Sequence, residues 1–449
     1  MAALSLPLAG IRIIDMTVVW AGPFATVLLG DMGAEIVRID SLQHHDVNTR
    51  GNPNITSEQV RSQGGGVFPN GDPGADPWNR SASFNTTGRN KKSITIDLTR
   101  PEGMAVFFRL VERSDVFIEN NAPDVVNRLG LGWDVLKRVN PRLVMISMPA
   151  FGGTGPYHHF RAYGANMEAV VGHTLLRGYP DTDPTNTTNV FFADATGGAA
   201  AAFAVVTALY QRDRTGEGQF IDMSLAENVG HTFSQAMMDY SMNGRVQTTL
   251  GNRDPSRAPQ GVYPCAGDDS WLAISCRDDA EFAALCSVMG RLDLAADPRF
   301  AGTLARYHHQ DELDAAIAAW TAGQDHYTAF HLLQQAGVTA APVLTIPEVA
   351  ADPHLHARGM WQRVEHPATG AHAYLGPIAG HLSKTPLRIW APAPLLGQDN
   401  EYLYREVLGY SEEEYRWFVD HDFAGDLYID VRERRRAAEQ AASVGTVDK

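Results

Sequence analysis

Asp194 is the side chain whose setting most demands a chemical explanation. It stands in "NVFFADATGGAAAAFAVV", residues 189–206, after two phenylalanines and ahead of a run of glycine and alanine, with no basic residue within ten positions. Burying a lone carboxylate without a partner is expensive. One explanation is structural: an aspartate at a helix N-cap accepts backbone N–H bonds from the first turn, and the small residues after it carry the helix onward. The other is catalytic, a carboxylate kept beside Phe191, Phe192 and Ala193 in a pocket poor in water. This stretch alone leaves both open.

Other reactive side chains narrow the choice by exclusion. Cys265, Cys276 and Cys286 are odd in number and spaced unlike a zinc motif, and read as buried or incidental thiols of a reducing, cytoplasmic compartment. Histidines pair at 44–45, 158–159 and 308–309, but side chains adjacent in sequence diverge, so no metal is expected. A Walker loop, a G-x-S-x-G elbow and a G-x-G-x-x-G fingerprint are missing, which removes the usual signs of an NTPase, a serine hydrolase or a dinucleotide-dependent dehydrogenase. A formal net charge of −15 speaks against nucleic acid or an anionic membrane as partner, yet a local basic pocket can still hold an anion. The longest strongly apolar run, Ala199–Tyr210, is too short to span a bilayer, and no signal peptide is evident at the N-terminus.

The elements that must position Asp194 follow from hydrophobic patterning. At 449 residues, 44% hydrophobic and 20% charged, the chain is an ordinary globular one, long enough for two domains. "IRIIDMT" (11–17), "AEIVRID" (34–40), "SITIDLT" (93–99), "VFIEN" (116–120) and "LVMISMPA" (143–150) are strand-length runs, separated by helical patterns at 23–32, 101–113 and 123–139. This alternation predicts an α/β fold, with parallel strands covered by helices on both faces. Ligands of such sheets sit beyond the carboxyl ends of the strands, so "TVVWAGPF" and "ENNAPD" should border a pocket. Residues 42–90 interrupt the rhythm with a long ordered loop rich in Gly, Pro, Asn and Asp. A long helix is expected from Asp194 to about residue 213, and a strand over 219–223. The segment 225–345 reads as a smaller α+β domain, with a hairpin turning at 267–269 and helices near 279–290, 311–322 and 327–336; residues 1–224 and 346–449 form the larger one. "AAPVLTIPEVAADPHLHARGMW" reads as a linker returning the chain, "YSEEEYRWF" carries a capping box at Ser411 and Glu414, and the charged tail from Val431 is expected to fray.

Seven stretches in order then carry a resemblance: "PLAGIRIIDMTVVWAGPFATVLLGDMGAEIVRID", "NKKSITIDLTRPEG", "DVFIENNAPDVVNRLGLGWDVLKRVNPRLVMIS", "GTGPY", "TALYQRDRTGEGQFIDMSLAE", "GVYPCAGDDSWLAI" and "PLLGQDNEYLYREVLGYSEEE". Together they resemble the family III CoA-transferases, a group that includes formyl-CoA, carnitine-CoA and benzylsuccinate-CoA transferases and is related to the alpha-methylacyl-CoA racemases. The resemblance implies a Rossmann-like, doubly wound large domain, an interlocked dimer threaded near 215–225 and 340–360, and CoA as co-substrate without a tightly bound cofactor. A homodimer is implied, or a pairing with a homologous subunit. Substrates would be an acyl-CoA and a carboxylic acid.

By the same resemblance Asp194, in "FFADATGG" ahead of the "R-x-x-T-G-x-G-Q" turn, is the nucleophile. It would take the acyl group as a mixed anhydride and then CoA as a thioester, a sequence that a carboxylate can perform because the two linkages are close in energy. Gly197 and Gly198 would let backbone approach the thioester. Val19, Trp20 and Ala21 would line the CoA cleft, with Arg128, Leu129 and Arg161 as further CoA contacts. Arg38, Lys91 and Lys92 are expected to be solvated charges at strand ends. The racemases carry a His-Asp pair where this chain has Tyr163 and Gly164, so a second proton carrier is missing and transfer is favoured over racemisation. Glu168 is taken as a polar structural residue. A non-catalytic scaffold subunit is the remaining alternative, opposed by retention of Asp194. Trp20, where the formyl-CoA enzyme has glutamine, suggests a bulkier acyl pocket and an aromatic or medium-sized acid.

Overall fold

The structure is a computed structural model that describes residues 6–444 except 65, 187, 189, 378 and 379. It divides into two compact units. One comprises Met1–Val171, Asn189–Ser234 and Gly359–Lys449, and the other Gly172–Thr188 with Gln235–Arg358.

The first unit is built on six parallel strands: β1 (Arg12–Met16), β2 (Glu35–Asp40), β3 (Lys91–Thr95), β4 (Val116–Glu119), β5 (Val144–Ser147) and β6 (Phe220–Asp222). Their order is β3-β2-β1-β4-β5-β6, the doubly wound arrangement the sequence predicts. Ile13, Ile14, Ile36, Val37, Phe117, Ile118, Val144 and Ile146 are wholly buried, as expected of strands covered on both faces. The strand order reverses between β1 and β4, which opens a crevice at their carboxyl ends.

Several expectations need correction. β3 begins at Lys91 rather than Ser93 and stops at Thr95, because the Asp97 carboxylate accepts from the Thr99 amide at 3.0 Å and turns the chain. The helix expected over 123–139 is two, Val125–Arg128 and Trp133–Val139, broken at Gly130 with φ 72°. The loop over 42–90 contains the helices Ser57–Ser62 and Ala82–Gly88. Its Trp78 is buried with Leu42, Leu396, Tyr428 and Val431. That packing organises the chain's end into the helix Ile429–Val444 instead of a frayed tail.

Asp194 lies on the 24-residue helix Phe192–Thr215. Among the described residues this helix is long and apolar enough to cross a membrane by length and composition, longer than the run read from sequence. Its small-residue face is buried against the helix Ala21–Asp31: a Cβ on Gly198 would lie 2.7 Å from the Ala21 carbonyl oxygen. Phe203 and Tyr210 on the same helix are exposed. The hairpin β10 (Trp361–His366) and β11 (Gly370–Leu375) also belongs to this unit. Ser411 caps the helix Glu412–Asp420 through the expected capping box with Glu414.

In the second unit β7 (Gln260–Pro264), β8 (Trp271–Ser275) and β9 (Thr339–Val343) form an antiparallel sheet in that order. β9 falls in the segment read as a linker. Helices Asp279–Met289, Gln310–Thr321 and His326–Gln335 share one core with the sheet, and all three cysteines are buried there as free thiols. Burial pushes Cys276 up to about 12 and Cys286 to about 11, so neither is a ready nucleophile.

Candidate active site

The loops leaving β1 and β4 are tied to each other by one side chain. Asn120 Oδ1 accepts from the Val18 amide at 2.7 Å, and its Nδ2 donates to the Val18 carbonyl at 3.0 Å. Thr49 Oγ1 accepts from the Val19 amide at 2.9 Å. Val19 is thereby held at φ 64°, a left-handed conformation that a β-branched residue adopts only under constraint.

Below this loop lies a network of buried charge. Lys91 Nζ donates to Asp15 Oδ2 at 2.9 Å, to Thr26 Oγ1 at 2.7 Å and to the Pro23 carbonyl at 3.1 Å. Arg38 pairs with Asp40 and Asp46 and donates to the Thr17 carbonyl, while Arg50 pairs with Asp40. Arg38 and Lys91 are therefore buried structural cations, not solvated strand-end charges; Lys92, partly exposed, pairs with Asp399. Burial pulls the Lys91 ammonium down to about 8, against the pull of Asp15. Burial also works to raise Asp40, but Arg50 and Arg38 hold it at about 2. This network fixes the start of the helix Ala21–Asp31 against β1, β2 and β3.

Asp194 meets that helix start. Its own helix begins after Phe191, which takes φ 50°, so Asp194 is in the first turn and is not the N-cap. Its carboxylate instead lies near the backbone N–H of Ala21, the first residue of the other helix, and feels its pull. One carboxylate thus faces the amino ends of two helices, each with N–H groups lacking an intrahelical partner. Asp194 is only 8% exposed, and burial raises its carboxyl above the ordinary aspartate range. The Ala21 amide opposes that rise and the nearby Glu168 charge adds to it. Glu168 is buried and accepts from the Phe192 amide at 2.8 Å, which pins the first turn of the Asp194 helix. A Cβ on Gly164 would overlap Asp194 Oδ2, and one on Gly197 would overlap Leu225 Cδ2. A side chain at either glycine would have to displace Asp194 or Leu225.

Asp194 opens onto a cavity of about 360 Å³ at the β1/β4 switch point, bordered by Val19, Asn121, Arg161, Tyr163, Asn166 and Leu225 among others. Arg161 is the one basic residue lining it among the described residues. Of the residues singled out in the sequence, Val19 and Arg161 share this cavity with Asp194, and Ala21 contributes its amide. Trp20 does not line it; the indole packs on Phe24 and Phe191, with centroids 6.5 and 6.1 Å away. Arg128 is exposed on its short helix and Leu129 packs on the main core, and neither lines the cavity. Sequence reasoning missed the side-chain role of Asn120 and the close approach of Gly164, which it had named only for the histidine lost beside it. "ENNAPD" marked the first only as a segment, and a packing glycine leaves no signal in one sequence. The loop 121–123 also borders a second cavity of about 480 Å³ over β4, β5 and β6, where burial raises the Glu119 carboxyl.

A doubly wound parallel sheet with a buried acid lining a cavity at its switch point has the layout of an α/β enzyme's substrate cleft. The chain belongs to CoA-transferase family III, whose model matches residues 8–400. It is 35% identical over 411 residues to a succinyl-CoA–D-citramalate CoA-transferase of Chloroflexus aurantiacus, covering 91% of this chain and 96% of that one. It is 34% identical over 407 residues to a succinate–glutarate CoA-transferase of Agrobacterium fabrum, covering 89% and 96%. A CAIB/BAIF family protein from Brucella suis has the same fold, with a TM-score of 0.77 at 30% identity over 90% of this chain and all of that one. The enzyme is a CoA-transferase acting on acids and CoA thioesters.

Proposed function

We propose that Asp194 carries the transfer covalently. The Asp194 carboxylate attacks the thioester carbonyl of the donor, forming a mixed anhydride and releasing CoA thiolate. The thiolate attacks the aspartyl carbonyl, and the first acid leaves as carboxylate, giving an aspartyl-CoA thioester. The acceptor carboxylate attacks that thioester to form a second anhydride and free the thiolate. Attack of the thiolate on the acceptor's acyl carbon yields the new acyl-CoA and regenerates Asp194. No water and no external energy source enters the cycle.

The observation that carries this reading is the carboxylate's place at two helix amino ends, inside a cavity. Raised basicity makes the anion a better nucleophile, and the helix ends supply N–H dipoles where negative charge develops. Racemisation is disfavoured because Tyr163 and Gly164 stand where a second proton carrier would be needed, and Gly164 offers no side chain to act as one. Both relatives named above act on short dicarboxylic acids or their thioesters. With Trp20 turned away from the cavity, the case for an aromatic acid falls, and Arg161 supports a short dicarboxylate whose second carboxylate it pairs.

Hydroxylamine added during turnover with succinyl-CoA should convert Asp194 to a hydroxamate detectable by peptide mass spectrometry. Asp194→Asn should lose both the adduct and transfer, with its far-ultraviolet spectrum unchanged. Transfer at the wild-type rate by that variant would end this reading.

A further inference from the structure

The turn between β1 and the helix Ala21–Asp31 takes a conformation its own sequence does not favour. Val19 is β-branched and lies at φ 64°, where glycine or asparagine is the ordinary choice. The helix start does not compensate, because Trp20, at its N-cap position, makes no side-chain hydrogen bond to the first turn. The turn is held instead from distant parts of the chain. Asn121 Nδ2 donates to the Met16 carbonyl at 3.0 Å, and Asn120 engages both the amide and the carbonyl of Val18. These two asparagines continue the β1–β4 ladder past its last pair, Met16 with Glu119. On the other side Arg38 donates to the Thr17 carbonyl at 3.0 Å. Thr49, buried, accepts from the Val19 amide and is itself fixed by Asp46, whose carboxylate accepts from the Thr49 amide at 3.1 Å and pairs with Arg38.

Strain of this kind survives only where the surroundings over-determine it, and it gathers at working sites. Val19, Asn120 and Asn121 line the same cavity as Asp194. Glycine would take the same φ without cost, but it would leave that wall without a side chain. Directly after the turn come Ala21 and Gly22, the first residues of a helix without a side-chain cap, and Asp194 lies near the Ala21 amide. A Cβ on Gly22 would fall 2.5 Å from Thr17 Cβ and 3.0 Å from Asn120 Cγ, so the helix start is packed directly on the clamped turn. We infer that Asn120 and Thr49 are positioning residues for CoA transfer: they lock Val19 in its left-handed turn and so aim the amino end of the helix Ala21–Asp31 at Asp194. The inference rests on Asp194 as the reacting group. A turn that relaxes to an extended Val19 redirects the helix start, and the carboxylate loses N–H dipoles on that side.

The test follows exchange of carbon-13 succinate into succinyl-CoA by the full chain. Thr49→Val keeps the side chain's shape and removes the hydroxyl; kcat should fall about tenfold or more, with KM for succinyl-CoA changed less than about threefold. The acid limb of kcat/KM should move to higher pH, because the Ala21 amide holds the Asp194 carboxyl down. Asn120→Ala should act in the same direction. Charged or titratable groups on the elements around Asp194 are Glu168, Arg161, Tyr163, Glu227 on the helix Leu225–Gly230, and Lys91 beneath the helix Ala21–Asp31, and these variants alter none of them. Val19→Gly supplies the rescue: glycine holds this φ unaided, so Thr49→Val made in that background should cost less than about threefold. Two results would overturn the inference: a Thr49→Val protein with a lowered melting temperature but unchanged kcat and acid limb, or the same fold-loss from Thr49→Val in the Val19→Gly background as in wild type. Asp194→Asn separates the two readings. Retained exchange in that variant ends the covalent mechanism, whereas its loss beside an unaffected Thr49→Val ends the positioning role alone.

Discussion

Glu168 and Asp194 show how one side chain can set another's chemistry without touching substrate. In the proposed mechanism Asp194 must be ionised to attack a thioester, and burial with the Glu168 charge lifts its carboxyl above the ordinary value of 3.8. The acid limb of kcat/KM should therefore lie above that value, with rate lost as pH falls through it. Glu168→Gln keeps an acceptor for the Phe192 amide while removing the charge, so the acid limb should move to lower pH. A pH–rate profile of both proteins checks this, and a limb that stays put or rises would show that the Glu168 charge is not felt. The position of Asp194 stood out in the sequence because an acid amid Phe, Gly and Ala is anomalous there. Its partners did not, since the amide it lies near belongs to Ala21, far upstream, and the space it fills is left by Gly164.

At the scale of elements, β1, β2, β4 and β5 were legible because strands buried on both faces must be written in continuous β-branched and aliphatic residues. β9, "TAAPV", was not: a short strand of small residues with a proline carries no period to read. The burial of Arg38 and Lys91 was equally hidden, because the partners that neutralise Lys91 lie on β1 and the helix after it. That network predicts a stability effect. Lys91→Met leaves Asp15 buried without its cation and should cost about 3–5 kcal/mol in urea unfolding, by analogy with broken buried pairs. Asp15→Asn with Lys91→Met should recover much of the loss, and failure to recover would mean that Lys91 acts through packing alone.

For the whole molecule, composition and alternation gave the α/β class correctly, whereas the end of the chain, expected to fray from Val431, was misjudged. The helix Ile429–Val444 returns to cover Trp78 and Leu42, closing the long segment between β2 and β3. Removing residues 429–449 should expose those side chains and cost about 3 kcal/mol of apolar burial. Calorimetry should then show a melting temperature lower by about 3–5 °C. An unchanged melting curve would show that the tail is a passive appendage.

The shared start of two helices also sets an order of events during synthesis. A ribosome delivers Ala21 long before Phe192, so the nascent sheet must wait, with one flank of its first helix bare, until the glycine-rich helix emerges and docks. Only that docking brings Asp194 to the Ala21 amide, which means a truncated or stalled chain lacks the assembled pocket.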